Sequence, residues 1–417
     1  MCPHTFFCLV EMKKLFLFFG LVISGVAAVA QAPHLYEHSY PYLSEEDPRI
    51  RGLMDQVSID SLTANIERLS AFHTRRYDSR YIYEVQDWLL HRYETLGLDS
   101  VYLHDFQLHG LGITETADNV IAIQRGTLYP DEYVVCGAHY DSYAYDGYDP
   151  DTITSPGADD NATGVAGIWE TARLLSPYRF ERSIIYCNFN AEECGLVGSA
   201  AFAQDCAAQG MDIVGYFNMD MNGYLEEGSE IHVHLLYTTR DSIIADYFYN
   251  FCDVYYPDMP IRQNWMPNGD SDFSSFNRNG YAALHPFEDV HASSPYIHSR
   301  DDVMGLSVNN MEQSKRFAEL NLGAVAILAG LDTSDVDEHE TVDLSVYPNP
   351  AKESLNLFSM EGLQEVKLYN MLGQQVSSEM FDGNTSATLD LGGLASGLYV
   401  IAVSTANGSI NKVVRVE

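Results

Sequence analysis

Positive charge is what this 417-residue chain has least of: 23 Lys and Arg face 59 Asp and Glu, a formal net charge of -36. Such a surface repels phosphate backbones and anionic lipid, which excludes nucleic acid and an anionic membrane as partners and leaves metal cations compatible. Much of that charge serves solubility alone. Cysteine is scarce too. Past the leader described below, Cys136, Cys187, Cys194, Cys206 and Cys252 remain, an odd number without close-paired spacing, so no disulfide framework and no Cys-rich zinc motif is expected. Cys136 and Cys187 read as small core residues, and one bridge involving Cys206 and Cys252 stays open. The chain also lacks a Gly-x-Ser-x-Gly elbow, a His-Glu-x-x-His helix and a phosphate loop, which removes the simplest routes to serine, single-zinc helix or phosphoryl chemistry. After residue 30 no apolar run is long enough to span a bilayer.

What is present is enough apolar material, 46% of the residues with 12% aromatic, to bury a large core and a second, smaller one. Residues 1–30 read as a signal peptide, whether translation begins at Met1 or at Met12. Met12-Lys13-Lys14 is the charged start, Leu15 to Ala30 the apolar run, and Ala28-Val29-Ala30 the small-x-small site before Gln31. From Asp60 to Leu96 apolar residues recur at helical spacing, predicting two helices. Strands are expected at Ser100 to Leu108, Asn119 to Gln124, Glu132 to Ala138, Ser183 to Phe189, Ile213 to Met219, Glu230 to Leu236 and Ala282 to Pro286. Helices are expected from Thr163, in a short stretch after Gly195, over Ile243 to Phe251, and from Val308 to Leu328. This alternation predicts an α/β domain over residues 31–331 with a mostly parallel central sheet. Six acidic residues between Asp332 and Asp343 read as a solvated linker, 332–342. Short alternating strands from 343 to 417, punctuated by Gly, Asn and Pro, predict a small all-β sandwich.

Ligands of such sheets collect outside the carboxyl ends of the strands. Candidate groups fall there: His139 and Asp141 after one strand, Glu192-Glu193 after the next, Asp220 after a third, with Asp159-Asp160 in a Pro-Gly turn entering a helix. Alone, each has a bland explanation, since Asp at a helix start is ordinarily a cap and paired Glu in a loop is ordinarily solvated. Together they match a hydrolytic centre in which two zinc ions about 3.5–4 Å apart share a carboxylate and lower the pKa of the water between them. That needs one bridging acid, two further N or O ligands for each ion, and a general base. His139 and Asp220 suit one ion, with Asp141 orienting His139. Which aspartate bridges, which glutamate is the base, and which of His285, His291 and His298 is the remaining ligand stay open on spacing.

The blocks His139-Tyr140-Asp141-Ser142, Pro156 to Gly164, Glu192 to Ser199, Asn218-Met219-Asp220-Met221 and Ile297-His298-Ser299 make residues from about Ser61 to Leu328 resemble the secreted dizinc aminopeptidases of the leucyl aminopeptidase type. The resemblance implies a three-layer α/β/α domain, Asp160 as the bridge followed by a cis peptide, Glu192 as base, and Glu193 and His298 as ligands of the second ion. It leaves His285 and His291 as ordinary packing or loop histidines. Substrates would then be peptides with a free N-terminus. The departure lies at Gln263 to Asp270, which lacks the cysteines of a disulfide-closed loop seen in some relatives; Trp265, Met266 and Phe273 are expected at the resulting pocket wall. Asn161-Ala162-Thr163 has the form of a glycosylation sequon, yet it sits inside the proposed active turn. The last 75 residues resemble the type A sorting domain of the type IX secretion system through Tyr347-Pro348-Asn349-Pro350-Ala351, Val366 to Gln374 and Gly397-Leu398-Tyr399-Val400, which implies secretion or display at the cell surface.

Two rival readings remain. A glutaminyl cyclase of the same clan would use one zinc and usually carries Ser and Pro where Asn161-Ala162-Thr163-Gly164 stand here. A catalytically dead binding scaffold would be expected to have lost Glu192 or a ligand.

Overall fold

The computed structural model describes residues 38–417 apart from 111–112, 146, 148, 239–240, 266–268, 333–343, 371–374, 406–407 and 417. The expected signal peptide, Met266 and all but Asp332 of the expected linker lie outside the described residues.

Three helices open the chain: α1 (Pro48–Met54), α2 (Ile59–Ser70) and α3 (Ile82–Glu94). Ser58 starts α2 by accepting the Ser61 N–H, as a helix N-cap must to satisfy an orphan donor. The strands β1 (Ser100–Gly110), β2 (Ile113–Gln124) and β3 (Tyr129–His139) follow, then α4 (Thr163–Leu175), β4 (Arg182–Phe189), α5 (Val197–Gln209), β5 (Asp212–Asn218), β6 (Val233–Tyr237), α6 (Ser242–Tyr255), β7 (Ile261–Trp265), α7 (Phe273–Arg278), β8 (Ala283–Phe287) and α8 (Met311–Ala329). The eight strands form one sheet in the order β1-β2-β4-β3-β5-β8-β6-β7, parallel from β4 through β8. β1 and β2 are antiparallel additions at one edge, and β6 runs antiparallel to β8.

Strand alternation divides the core between two faces. On β3 and β4, Val134, Cys136, Ile184 and Tyr186 pack with α1 to α4, α6 and α8. Their alternates Val135, Ile185, Cys187 and Phe189 pack with Phe202 of α5 and Phe273 and Phe276 of α7. This is the expected α/β/α layering. All five described cysteines are free, Cys206 and Cys252 included, so the bridge left open above is absent. Phe273 also departs from expectation: it is buried in the second core rather than set in a pocket wall. The helix after Gly195 is a full 13 residues.

The C-terminal residues form a separate antiparallel sheet from β9 (Leu344–Tyr347), β10 (Ser354–Asn370), β11 (Gln375–Asp390), β12 (Gly397–Thr405) and β13 (Gly408–Val416). Its hydrogen bonds join all five strands rather than two separate sheets. The pairing nevertheless breaks between Phe358 and Leu363, where Gly362 at φ 73 meets the Gly383 backbone. The early half of β10 pairs β9 and the late half pairs β12, and Leu355, Leu357, Val366, Ile401 and Val414 share one core. One long hairpin, β10 and β11, thus contributes both of its halves to a single shared core.

Candidate metal centre

The three strands adjacent at the sheet centre, β4, β3 and β5, end side by side. Their carboxyl ends deliver His139 as the last residue of β3, Glu192 and Glu193 three and four residues past β4, and Asp220 two past β5. Asp160 comes from the turn Ala158–Ala162 that leads into α4, where its own backbone is not helical, and His298 from the loop between β8 and α8.

The two histidines bracket Asp160. His139 Nε2 lies 3.2 Å from Asp160 Oδ1 and 3.3 Å from Asp220 Oδ1, while His298 Nε2 lies 3.1 Å from Asp160 Oδ2 and 2.9 Å from Glu193 Oε2. Two donor groups emerge: His139, Glu192 and Asp220 on one side, and Asp160, Glu193 and His298 on the other, each within 4.8 Å. Asp141 is buried behind them. Its carboxylate is 3.5 Å from His139 Nδ1 and accepts the backbone N–H groups of Glu192 and Glu193, so it ties the β3 and β4 loops together as well as facing the imidazole.

Other residues, unseen in the sequence pattern, hold this arrangement. Asp302 accepts the N–H groups of both Asp159 and Asp160 from 142 or more residues away. Arg75 is fully buried, and its guanidinium donates to the carbonyls of Leu69, Tyr140, Pro156 and Gly157 rather than to the neighbouring carboxylates. Gly157 has φ 50, and a Cβ there would collide with the Ser142 side chain and Arg75, so the Pro-Gly turn needs glycine. Ser271 donates to Asp220 Oδ2, and the Tyr145 hydroxyl lies 3.3 Å from His298 Nδ1. His285 is packed behind Asp220, with Nε2 3.0 Å from its carbonyl. Asn161 is buried and bonded to Met219 O and Gly164 N–H, which leaves no room for a glycan. The Asp160-Asn161 peptide is cis.

Among the described residues Ala191, Leu196, Met221 and His298 are the non-glycine positions with positive φ. All four flank or belong to this cluster. Costly backbone conformations gathered at one place mark a site that the surrounding fold holds under constraint.

The electrostatics call for cations. Asp141, Asp159, Asp160, Asp220, Asp272, Glu288 and Asp302 are buried, and Glu192 and Glu193 partly so. Arg75 is the one buried guanidinium among the described residues. Burial pushes Glu192 well above the usual carboxylate range, raises Glu193 to about 8 with help from Asp160, and raises Asp272 to about 7. Burial would lower the imidazoles, but the carboxylates overcome it: donating to Asp160 and Glu193 raises His298 to about 11. Burial would raise Asp160, yet its contacts with the two histidines hold it low. Glu193 Oε1 is buried without a hydrogen-bond partner. A donor set of imidazole nitrogens and carboxylate oxygens, crowded enough that protons are retained where a cation could replace them, fits divalent zinc.

A consequence can be measured. Without metal, carboxyls raised in the folded state bind more protons than in the unfolded chain, so stability is present at low pH and is lost as pH climbs from their ordinary range towards the folded values of about 7 and 8. The raised His298 works in the same direction. The chelated protein should melt about 5 °C or more lower at pH 8 than at pH 5, and zinc should remove that slope. A flat profile for the chelated protein would mean that the carboxyl cluster is not charged against itself.

A cavity of about 570 Å³ opens onto the cluster, with Asp160, Glu192, Glu193, Asp220 and His298 at its base and Leu196, Met221, Leu236, Phe287, Val290 and Ile297 on its walls.

Comparison with known proteins agrees with this architecture. The profile of peptidase family M28 matches residues 119–321, and that of the secretion system C-terminal sorting domain matches residues 345–417. Leucine aminopeptidase 1 of Fusarium vanettenii is 29% identical over 317 residues, covering 72% of this chain and 78% of that protein. The LapA aminopeptidase of Legionella pneumophila superposes with a TM-score of 0.60 at 22% identity, covering 72% of this chain and 79% of its own. A glutaminyl cyclase from Bacteroides thetaiotaomicron gives a TM-score of 0.53 at 18% identity, covering 65% of this chain and 98% of its own. At those identities the structures speak for the fold alone.

Proposed function

Given that residues 119–321 belong to peptidase family M28 and residues 345–417 to the secretion system C-terminal sorting domains, we propose that this exported metallo-aminopeptidase works with two zinc ions and with Glu192 as its general base. The observation that carries the proposal is Asp160, whose two oxygens each face a different histidine at 3.2 and 3.1 Å. His139, Asp220 and Asp160 would hold one ion; His298, Glu193 and Asp160 would hold the other. Bound there, zinc would polarise the scissile carbonyl and bring the pKa of a water between the ions towards neutrality.

The chain's own residues do the rest. Asp141 fixes the β4 loop so that Glu192 projects towards the His139 and Asp220 donors. Burial raises the Glu192 carboxyl, which suits a group that takes the proton of the attacking water and returns it to the departing amine as the C–N bond breaks. The apolar cavity wall of Leu196, Met221, Leu236 and Phe287 receives the side chain of the first residue, while the acidic base attracts its ammonium. The sorting domain would direct the enzyme through type IX secretion to the cell surface or medium, after removal of the leader at Ala30.

The test is a panel of free and N-acetylated aminoacyl anilides. Leucyl, methionyl and phenylalanyl anilides should turn over at least about tenfold faster in kcat/KM than aspartyl or lysyl ones, the worth of burying a few methylenes in the cavity. Acetylation should abolish turnover of all of them. Conversion of N-terminal glutamine to a pyroglutamyl terminus with release of ammonia, and no anilide hydrolysis, would instead establish the cyclase reading.

A further inference from the structure

A second cluster of metal-ligand type lies outside the catalytic set, formed by His232, His234 and Asp289 with donor atoms within 4.8 Å of one another. The construction follows from the strands. His234 stands two residues after His232 and so shares its face of the sheet. β6 pairs antiparallel with β8 in the register His234 to Phe287 and Leu236 to His285, and continuing that register sets His232 opposite Asp289. His232 Nε2 is 2.9 Å and His234 Nε2 3.5 Å from the Asp289 carboxylate, about the ligand-to-ligand spacing around a tetrahedral zinc. The His291 ring lies 5.7 Å from that of His234, and the His291 N–H holds Asp289 Oδ1 at 2.8 Å.

The hydrogen bonding of His232 points to a cation. Its Nδ1 is 2.8 Å from the Glu230 carbonyl, which only accepts, so Nδ1 carries a proton and donates. In the neutral ring Nε2 is then a lone pair, aimed from a buried position at a carboxylate that has no proton to offer. Either a second proton or a metal must lie between them, and this backbone anchor on the far nitrogen is the usual support of a metal-bound imidazole. His234 would bind through Nε2 in the same tautomer, giving up a long 3.3 Å contact to its Nδ1 from the Val290 N–H. The competitor is Arg262, exposed on β7, with Nη1 3.4 Å from His234 Nε2.

We propose that His232, His234 and Asp289 form a further binding site for a divalent transition cation of the zinc type. Two imidazoles and one carboxylate suit zinc, nickel or copper and disfavour calcium and magnesium, which take oxygen ligands. The bound cation fastens the start of β6 to the segment after β8. That segment carries Val290 and Ile297 of the cavity wall and then His298.

Elemental analysis after equilibration at buffered free zinc tests the site as a difference between chains with the same catalytic residues, so the result stands apart from the catalytic stoichiometry. His232→Gln and Asp289→Asn should each hold one zinc fewer than the wild-type chain. Arg262→Ala is an exposed substitution that keeps the fold, and should bind that same equivalent about fivefold more tightly in competition with a chelating dye, the value of removing one screened charge at this range. Equal zinc content in all chains, or an Arg262→Ala affinity unchanged from wild type, would overturn the proposal.

Discussion

Glu192→Gln should lower kcat by about 10² to 10⁴, or roughly 3–5 kcal/mol of transition-state stabilisation, while zinc content and KM stay near those of the wild-type enzyme. The substitution keeps the shape of the side chain and leaves the Glu192 N–H bonded to Asp141, so the β4 loop has no reason to move. What disappears is the carboxylate proposed to carry the proton from the water to the departing amine. Metal content separates two readings of the same geometry. Glu192 falls within 4.8 Å of the His139 and Asp220 donors and could be counted there as a third ligand. A ligand replaced by an amide loses metal; a base replaced by an amide loses rate alone. The activity of the wild type should also fall on the acid side as Glu192 becomes protonated, and the residual activity of the variant should lack that limb. Wild-type turnover in Glu192→Gln would remove it from the mechanism.

The elements that carry the site were legible because each has a strong local signal. α4 begins at Thr163 and ends at Leu175 as its periodicity predicts, and the buried β3, β4 and β5 read as apolar runs of strand length. The ends of those runs pointed to His139, Glu192-Glu193 and Asp220, and the structure gathers them with Asp160 and His298. Choosing His298 over His285 and His291 needed a family resemblance, since nothing in their spacing differs. α7 was missed because six residues give under two helical turns, too few for a period to show. β7 was missed because Arg262, Gln263 and Asn264 make it polar at the sheet edge. In the C-terminal sheet, Gly362 and Gly383 read as turns between short strands, whereas they are the crossing point of one long bent hairpin. Asp302 and Arg75 could not have been found locally. One acts on residues 142 and more away, and the other acts through carbonyls, which any sequence supplies.

Asp160→Asn should be the most damaging single change: in a His232→Gln background, where metal content reports the catalytic cluster alone, zinc should fall from two ions per chain to below one after dialysis, and kcat/KM should fall by at least about 10⁴, or roughly 5 kcal/mol. Asp160 is the proposed ligand that both ions share. Every other proposed ligand serves one ion, but Asp160 offers Oδ1 to the His139 side and Oδ2 to the His298 side. An asparagine presents one oxygen and one amide N–H₂, so one side gains a donor where it needs an acceptor and the shared negative charge vanishes for both. Changes one step removed from a metal typically cost 10–100-fold in affinity, and a bridging ligand must cost more for each ion. The backbone should hold, because Asp302 grips the N–H of residue 160 rather than its side chain. Circular dichroism of the variant should therefore match the chelated wild type. Adding excess zinc then distinguishes two cases: a bridge leaves activity lost even where some metal returns, because no water is held between two ions, whereas a ligand of one ion alone leaves the other site full and recovers with zinc. Retention of one tightly held zinc in Asp160→Asn combined with His232→Gln, with the second restored by excess, would assign Asp160 to a single ion and leave Glu193 or Asp220 as the shared carboxylate.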